Sequence, residues 1–382
     1  MLSFVKKGFP PVAKVTCRKP CVTAIRTLIE HYGCTAVLCT ATQPALGPFF
    51  GDRGIAIKEL CPHIEAQFAF FSRVTFDVRP QRCTPEYLAQ EIAQKPQVLV
   101  VVNSKRMARQ LYETMPEREG TFHLSTNLCA VHRTRVIDEI RTRLKNHQTC
   151  RVISTSLIEA GVDIDFPLVY RELTGLDSIL QAAGRCNREG KRPREDSIVT
   201  VFRMEGSRML FELDRRGKVA DSILDRYAAR LSHPDAVDAY FKELYDLSGE
   251  KALDKKEILK LCNQKMPPMK TIDQKFQLID DKSVPVFIPF DEEAKSLLEQ
   301  LKARQSVGSR ALLRRAGVYT VGVPSDFDNK RVTPFQRLFE AGAIVPLWEN
   351  STALYVLVDM SLYDETALGL KMDIPDGQAV VF

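Results

Sequence analysis

The chain has 382 residues, 27% of them charged and 45% hydrophobic, with a formal net charge of +6. That is ordinary for a soluble globular protein, long enough for two or three domains that each bury a core, and basic enough to suit a nucleic-acid partner without requiring one. No apolar run approaches the ~20 residues that cross a bilayer, and Phe4-Val5-Lys6-Lys7-Gly8 breaks any secretory apolar core, so a soluble, cytoplasmic protein is expected.

Residues 1–14 show no clear periodicity. Val22, Ile25, Leu28 and Ile29 recur at helical spacing over 20–31, and Gly33 suits the stop. A strand at 35–39 comes next, delivering Thr40-Ala41-Thr42-Gln43-Pro44, and the Gly- and Pro-rich segment 47–66 reads as a crossover. From 67 to 205 strands are predicted at 68–78, 97–102, 121–125, 150–155, 166–171 and 197–203, with helices at 84–95, 104–115, 133–145 and 177–187. This alternation means βα units, a mainly parallel sheet and helices on both faces. In such sheets ligands gather beyond the carboxyl ends of the strands, where the polar segments here fall.

Asn103-Ser104-Lys105-Arg106 comes after one strand and opens a helix. Its amides and hydroxyl suit a phosphate; Ser104 equally suits a plain helix N-cap, and both can hold together. Leu124-Ser125-Thr126-Asn127 closes the next strand, leading to a helix with Arg133, Arg135, Arg141, Arg143 and Lys145. That basic face suits a nucleic-acid backbone, whereas Arg141 to Lys145 read better as a solvated face. Residues 207–265 are charged and helical in period, with Ile223, Leu224, Tyr227, Val237, Tyr240, Phe241, Leu244 and Tyr245 reading as core rather than base-stacking residues. Met266-Pro267-Pro268-Met269 marks a boundary. Residues 271–382 read as a separate small α/β domain, with strands at 284–288 and 353–358 and an amphipathic helix at 291–304 that carries Asp291, Glu292 and Glu293 in its first turn.

The ten cysteines form no C-x-x-C and no zinc-finger spacing, so buried free thiols are expected and no metal site. Two arginines three residues apart close the motif Gln181-Ala182-Ala183-Gly184-Arg185-Cys186-Asn187-Arg188. On a helix they share one face, and paired guanidinium forks match the charge that develops on a departing phosphate. Upstream, Cys150-Arg151-Val152-Ile153-Ser154-Thr155 is a short buried strand running into Ser156-Leu157-Ile158-Glu159-Ala160-Gly161-Val162-Asp163-Ile164-Asp165.

In order and spacing, Thr40 to Pro44, Ser154 to Asp165 and Gln181 to Arg188 resemble motifs III, V and VI of superfamily 2 helicases. With Cys39 to Leu46, Phe166-Pro167 and Tyr170-Arg171-Glu172 added, the sequence resembles the CRISPR-associated helicase–nuclease of type I interference systems, strongly over roughly 15–205. The resemblance implies ATP, with Mg²⁺, in a cleft between two RecA-like domains. Arg185 and Arg188 would meet the γ-phosphate, with Gln181 positioning the nucleotide or the attacking water. Gly161 would admit close backbone approach and Asp163 the ribose. Ser154 and Thr155 would hydrogen-bond a DNA phosphate, and Thr40 and Thr42 would couple nucleotide to DNA; beside these, the strand-end residues Asn103, Ser104, Ser125 and Thr126 read as further nucleic-acid contacts. The implied partners are single-stranded DNA, a guide-RNA-containing CRISPR surveillance complex and a missing N-terminal helicase and nuclease half.

No G-x-x-x-x-G-K-[ST], no D-E-x-H or D-E-x-D run and no H-D pair occurs, so the chain is expected to be the C-terminal part of a larger protein, with the Mg²⁺ ligands on the missing half. The expected order is a remnant of the first RecA-like domain and crossover (1–66), a second RecA-like domain (67–205), a helical linker (206–270) and an accessory α/β domain (271–382). Alone it is expected to be inactive, working as the motor part of an ATP-dependent single-strand DNA translocase. The alternatives are a non-catalytic fragment that binds DNA or the guide complex, or a related helicase acting on RNA.

Overall fold

The run Val98-Leu99-Val100-Val101 is wholly buried, as expected of a parallel strand covered on both faces. The structure is a computed structural model that describes residues 18–38, 50, 55, 57–159, 161–207, 211–276, 282–303, 310–325, 332–349 and 352–372. Cys39, Thr40 and Thr42 lie outside these residues.

After helices α1 (Arg18–Tyr32) and α2 (Ile64–Phe70), the central region runs β1 (Thr75–Cys83), α3 (Pro85–Ala93), β2 (Gln97–Val101), α4 (Lys105–Thr114), β3 (Thr121–Leu124), α5 (Ala130–Lys145), β4 (Cys150–Ser154), β5 (Leu168–Glu172), α6 (Leu176–Ala183) and β6 (Ile198–Met204). The six strands form one sheet in the order β1-β6-β5-β2-β4-β3. The β5-β2-β4-β3 stretch is parallel throughout, bearing out the α/β architecture with a parallel sheet. Val98, Val100 and Val102 share a core with Leu88, Ile92, Met107 and Leu111 of α3 and α4. Their alternates Leu99 and Val101 point to the opposite face and are buried too. Thr84 caps α3 by accepting from Tyr87 N, and Pro85 opens it, where a missing N–H costs nothing.

Three local expectations change. The alternation predicts a strand at 68–78, but Ile64–Phe70 is helical and β1 starts at Thr75; Phe68 and Phe70 are exposed helix residues. Pro80 lies inside β1, and β1 occupies a sheet edge, where a missing ladder donor is tolerated. Residues 35–38 form no strand and Val37 is exposed; a strand needs a neighbour, and no described residue pairs with this run. The helix expected over 177–187 ends at Ala183.

The chain divides into two compact units. One comprises Pro80–Glu172, Phe202–Ser207 and Asp281–Phe382; the other comprises Met1–Arg79, Leu173–Val201 and Arg208–Asp280. In the latter, α7 (Phe211–Tyr227), α8 (Pro234–Ala252, broken at Gly249), α9 (Ile258–Cys262) and α10 (Met269–Lys275) come after the sheet. Ile223, Leu224, Val237, Tyr240, Phe241 and Leu244 form their core with Leu176 and Ile179, and Tyr227 and Tyr245 pack against it. These aromatic residues are core, as their helical period indicates.

In the former unit, β7 (Ser283–Phe287), α11 (Glu292–Ala303), α12 (Arg310–Ala316), β8 (Thr320–Pro324), α13 (Pro334–Glu340), β9 (Ile344–Pro346) and β10 (Tyr355–Leu357) build a four-stranded sheet in the order β8-β7-β10-β9. A hairpin, β11 (Tyr363–Asp364) and β12 (Gly369–Leu370), closes the described chain. Period-two alternation sorts the core. Val286, Ile288, Tyr355 and Leu357 cluster with Cys129, Tyr363 and Leu370, while Phe287 and Val356 cluster with Leu297 and Leu301 of α11. The sequence pattern predicts a separate domain over 271–382; from 281 onward these residues instead fall in one unit with 80–172 and share a core with Cys129.

Two histidines of this unit are buried. His123 Nδ1 lies 3.3 Å from the Ala367 carbonyl; His132 Nδ1 lies 3.0 Å from the Tyr363 hydroxyl, its ring stacked on Phe290. Burial is the main cause that pushes both pKa values down from 6.5 to about 4. The unfolded chain therefore takes up these protons first as pH falls, so the stability they support is present above pH 6.5 and lost towards pH 4. Urea unfolding should show each histidine costing about 2 kcal/mol between neutral pH and about pH 5. The His123→Gln/His132→Gln variant should lose correspondingly less stability over that interval.

Candidate nucleic-acid and nucleotide site

Parallel strands all end at one sheet edge, and here the ends are level. Val101 of β2 is in register with Ser154 of β4, and Ser154 with Leu124 of β3. The segments Asn103-Ser104, Ser154-Thr155 and Ser125-Thr126 therefore stand side by side at the carboxyl edge of adjacent strands, although up to about fifty residues separate them in sequence.

Within that row the polar groups divide. The Ser104 hydroxyl accepts from Met107 N at 3.1 Å and caps α4. Asn103 N donates to Glu172 Oε2 at 2.7 Å, so an internal carboxylate takes one of the amides that suited a phosphate. Ser154 is fully buried, its hydroxyl 3.0 Å from the carbonyls of both Leu124 and Thr155. Ser125 is also fully buried and accepts from Asn127 N at 3.2 Å. The two serines shape the loops from inside. Thr126 is exposed and Thr155 half-buried, and these threonines face outward.

Behind the row lies a charged cluster that no sequence motif assigned to the site. Arg171, at the end of β5 and only 2% exposed, is ion-paired through Nε to Glu159 at 3.0 Å. Its Nη1 donates to Asn103 Oδ1 at 2.8 Å and to the Glu172 carbonyl at 3.0 Å. The fork ties the turn Ser156–Glu159, after β4, to the loop after β2, and fixes the Asn103 amide. The available signal was Arg171-Glu172 closing an apolar strand: charges at a buried strand end must be paired.

Gly161 has φ +78, and a Cβ there would meet nothing within 4 Å, so its need for glycine is conformational. Asp163 is exposed, and its carbonyl accepts from Arg141 Nε at 3.3 Å. Most of the basic face of α5 is neutralised. Arg135 pairs with Asp291, Arg141 with Asp138 and Arg143 with Glu139, which agrees with a solvated face for Arg141 to Lys145.

In the other unit, the arginine motif departs from the expected helical face. Gly184 ends α6 and Asn187 is left-handed, with φ 48, so Arg185 and Arg188 sit on the turn beyond the helix. Arg185 is 6% exposed, Arg188 is exposed and Gln181 is half-buried on α6. Asn187 sets the shape of the turn. Its Nδ2 donates to the carbonyls of Arg73 and Arg192 at 3.0 and 2.8 Å, and its Oδ1 accepts from Arg192 N at 3.0 Å. Asparagine tolerates the left-handed conformation and supplies both donor and acceptor. Arg73 also donates to the Arg188 carbonyl. At the start of α6, Arg216 Nη2 reaches both Asp177 carboxylate oxygens at 2.6 Å. A Cβ on Gly175 would lie 2.6 Å from the Tyr240 hydroxyl and 2.7 Å from Asp177 Oδ1, so glycine lets this ion pair form beside the motif helix.

Among the described residues no group of three or more His, Cys, Asp or Glu side chains can hold a metal ion, and no helix is long and apolar enough to cross a membrane. The eight described cysteines are free; Cys21, Cys129, Cys150 and Cys186 are buried, whereas Cys61 and Cys262 are exposed.

Residues 94–191 match the family model described as CRISPR-associated nuclease/helicase Cas3, C-terminal. A CRISPR-associated nuclease/helicase Cas3 of Methanothermobacter thermautotrophicus is 32% identical over 139 residues, which is 35% of this chain and 16% of that protein. Another, of Haloferax volcanii, is 51% identical over 51 residues, 13% of this chain and 5% of that protein. Among solved structures, T. fusca Cas3 has 15% identity and a TM-score of 0.47, covering 75% of this chain and 39% of that one. The chain thus spans a minor part of the length of the relatives it matches. The family-model and sequence matches bear out the resemblance that the motifs carry: the chain is similar to the C-terminal part of this family.

Removing one partner of a buried ion pair strands the other charge, at a cost of about 3–5 kcal/mol, whereas apolar replacement of both is often close to neutral. Arg171→Met should therefore lower the urea-unfolding free energy more than Arg171→Met/Glu159→Met does.

Proposed function

We propose that this chain is the second motor lobe of an ATP-driven single-strand DNA translocase acting in type I CRISPR interference. The observation that carries the proposal is the level row of polar loops on β2, β4 and β3, taken with helicase motifs in the family's order. Thr126 and Thr155 contact DNA phosphates, supported from within by Ser125, Ser154, Ser104 and Asn103. Such contacts are independent of sequence and weaken with salt. Arg188 and Arg185, on the turn held by Asn187, meet the charge that develops as the terminal phosphate leaves, with Gln181 orienting the attacking water. Gly161 and Asp163 take the ribose side, and Thr40 and Thr42 couple nucleotide to DNA. An exposed guanidinium beside a nearly buried one is a donor set suited to phosphate oxygens.

The phosphate loop and the Mg²⁺ ligands come from a first RecA-like lobe supplied with the nuclease half. A guide-RNA surveillance complex delivers the DNA. A second reading, a non-catalytic binder of DNA or of the guide complex, is favoured by the lack of any G-x-x-x-x-G-K-[ST] in the 382 residues.

The test is ATP hydrolysis stimulated by single-stranded DNA, measured for the chain alone and mixed with a protein that carries the phosphate loop and acidic motif. Hydrolysis should appear only in the mixture, and Arg188→Ala should reduce kcat by about a thousandfold or more with DNA affinity unchanged. Hydrolysis by the chain alone, or an Arg188→Ala mixture as fast as wild type, would contradict the motor assignment. DNA binding without hydrolysis in either case would favour the second reading.

A further inference from the structure

The geometry points to the C-terminal hairpin, β11 and β12, as the device that presents Thr126 to the DNA backbone, with Tyr363 and Gly369 as its positioning residues. This rests on the reading of the strand-end loops as the DNA contact.

The loop after β3 has almost no freedom of its own. Asn127 N is taken by Ser125 Oγ and Leu128 N by the Ser125 carbonyl at 3.3 Å. The Leu128 carbonyl accepts from Arg133 at 3.0 Å. Two further groups are held from more than two hundred residues away in sequence. Leu370 N donates to the Asn127 carbonyl at 2.9 Å, and Cys129 N donates to the Tyr363 hydroxyl at 3.2 Å. Gly369 lies directly against the loop backbone: a Cβ there would come within 2.4 Å of the Asn127 carbonyl oxygen, a backbone atom that cannot swing aside. Thr126 differs from these residues. It is exposed, and neither its amide nor its hydroxyl has a partner among the described residues.

The hairpin is a firm support. The Asp364 carboxylate accepts from Thr366 N, Ala367 N and Leu368 N at 2.9, 3.2 and 3.2 Å, which sets its turn. Ala367 and Leu368 are buried in the core under β2, and Tyr363 and Leu370 in the core of the C-terminal sheet. The hairpin thus joins two cores and holds the Asn127 carbonyl and the Cys129 amide on either side of Leu128, while the exposed Thr126 keeps its N–H and Oγ1 as a pair of donors without a partner among the described residues. A main-chain amide beside a hydroxyl is the donor set that a phosphodiester oxygen takes. A loop fixed before binding loses no ordering entropy on contact with DNA.

The test uses the full chain carrying Tyr363→Phe, which keeps the ring and removes the hydroxyl, with Gly369→Ala as a second variant. Backbone amide exchange over 127–129 should accelerate about tenfold in each, with exchange in β2 and β4 as in wild type. Fluorescence anisotropy with an oligothymidylate should show binding weakened about fivefold, and adding Thr126→Ala to Tyr363→Phe should weaken it no further. Exchange over 127–129 equal to wild type in both variants overturns the proposal. So does a Thr126→Ala effect of equal size in both backgrounds. Failure of the wild-type chain to bind the oligothymidylate defeats the DNA reading instead, and the exchange measurement still decides whether the hairpin holds the loop.

Discussion

The shared direction and level register of β2, β4 and β3 is the constraint on which the candidate site depends. β2 and β4 are wholly buried, so a one-residue slip would exchange the side chains on their two packed faces. Val101, Ser154 and Leu124 are locked at the same height. The loops after these strands therefore emerge at a common edge, where Thr155 and Thr126 stand beyond the ends of the adjacent strands β4 and β3 while the polar groups after β2 are engaged from within. Apolar burial supplies the stability, and register supplies the geometry of the site.

Within each unit an ion pair holds a turn that register alone does not fix. Arg171 and Glu159 join the turn after β4 to the loop after β2. Separately, Arg216 and Asp177 fasten α7 to the first turn of α6. Buried pairs of this kind contribute little net stability, because desolvation offsets most of the Coulomb attraction. Their effect is conformational: with the fork of Arg171 on Asn103 Oδ1, only one orientation of that amide is satisfied. The same logic applies to Asn187, whose amide makes three hydrogen bonds and so determines where the two motif arginines stand.

Much of the fold was legible because its signals are local. Continuous apolar runs marked β2 and β4, Thr84-Pro85 and Ser104 marked helix starts, and period-two alternation marked β7 and β10. The readings that failed needed information from elsewhere in the chain. Phe68 and Phe70 alternate as in a strand, yet their burial depends on what packs against them, and they are exposed. The arginine motif has helical spacing, and only the left-handed Asn187, tied to Arg73 and Arg192, takes it off the helix. At the site, the sequence located all three strand-end loops but not which hydroxyls point outward. Serine and threonine are alike in that respect until burial assigns Ser125 and Ser154 to the inside. Tyr363 and Gly369 carried no local signal, since their partners are Cys129 and Asn127.

The most direct test of the strand-edge site is photocrosslinking of the full chain to single-stranded DNA containing 4-thiothymidine, with mapping of the modified peptides. Crosslinks should concentrate in the segments around Asn103-Ser104, Ser125-Thr126 and Ser154-Thr155 and decline together as salt is raised. Crosslinks that avoid all three segments and gather instead on the exposed aromatic residues Phe68, Phe70 and Phe71 would contradict it.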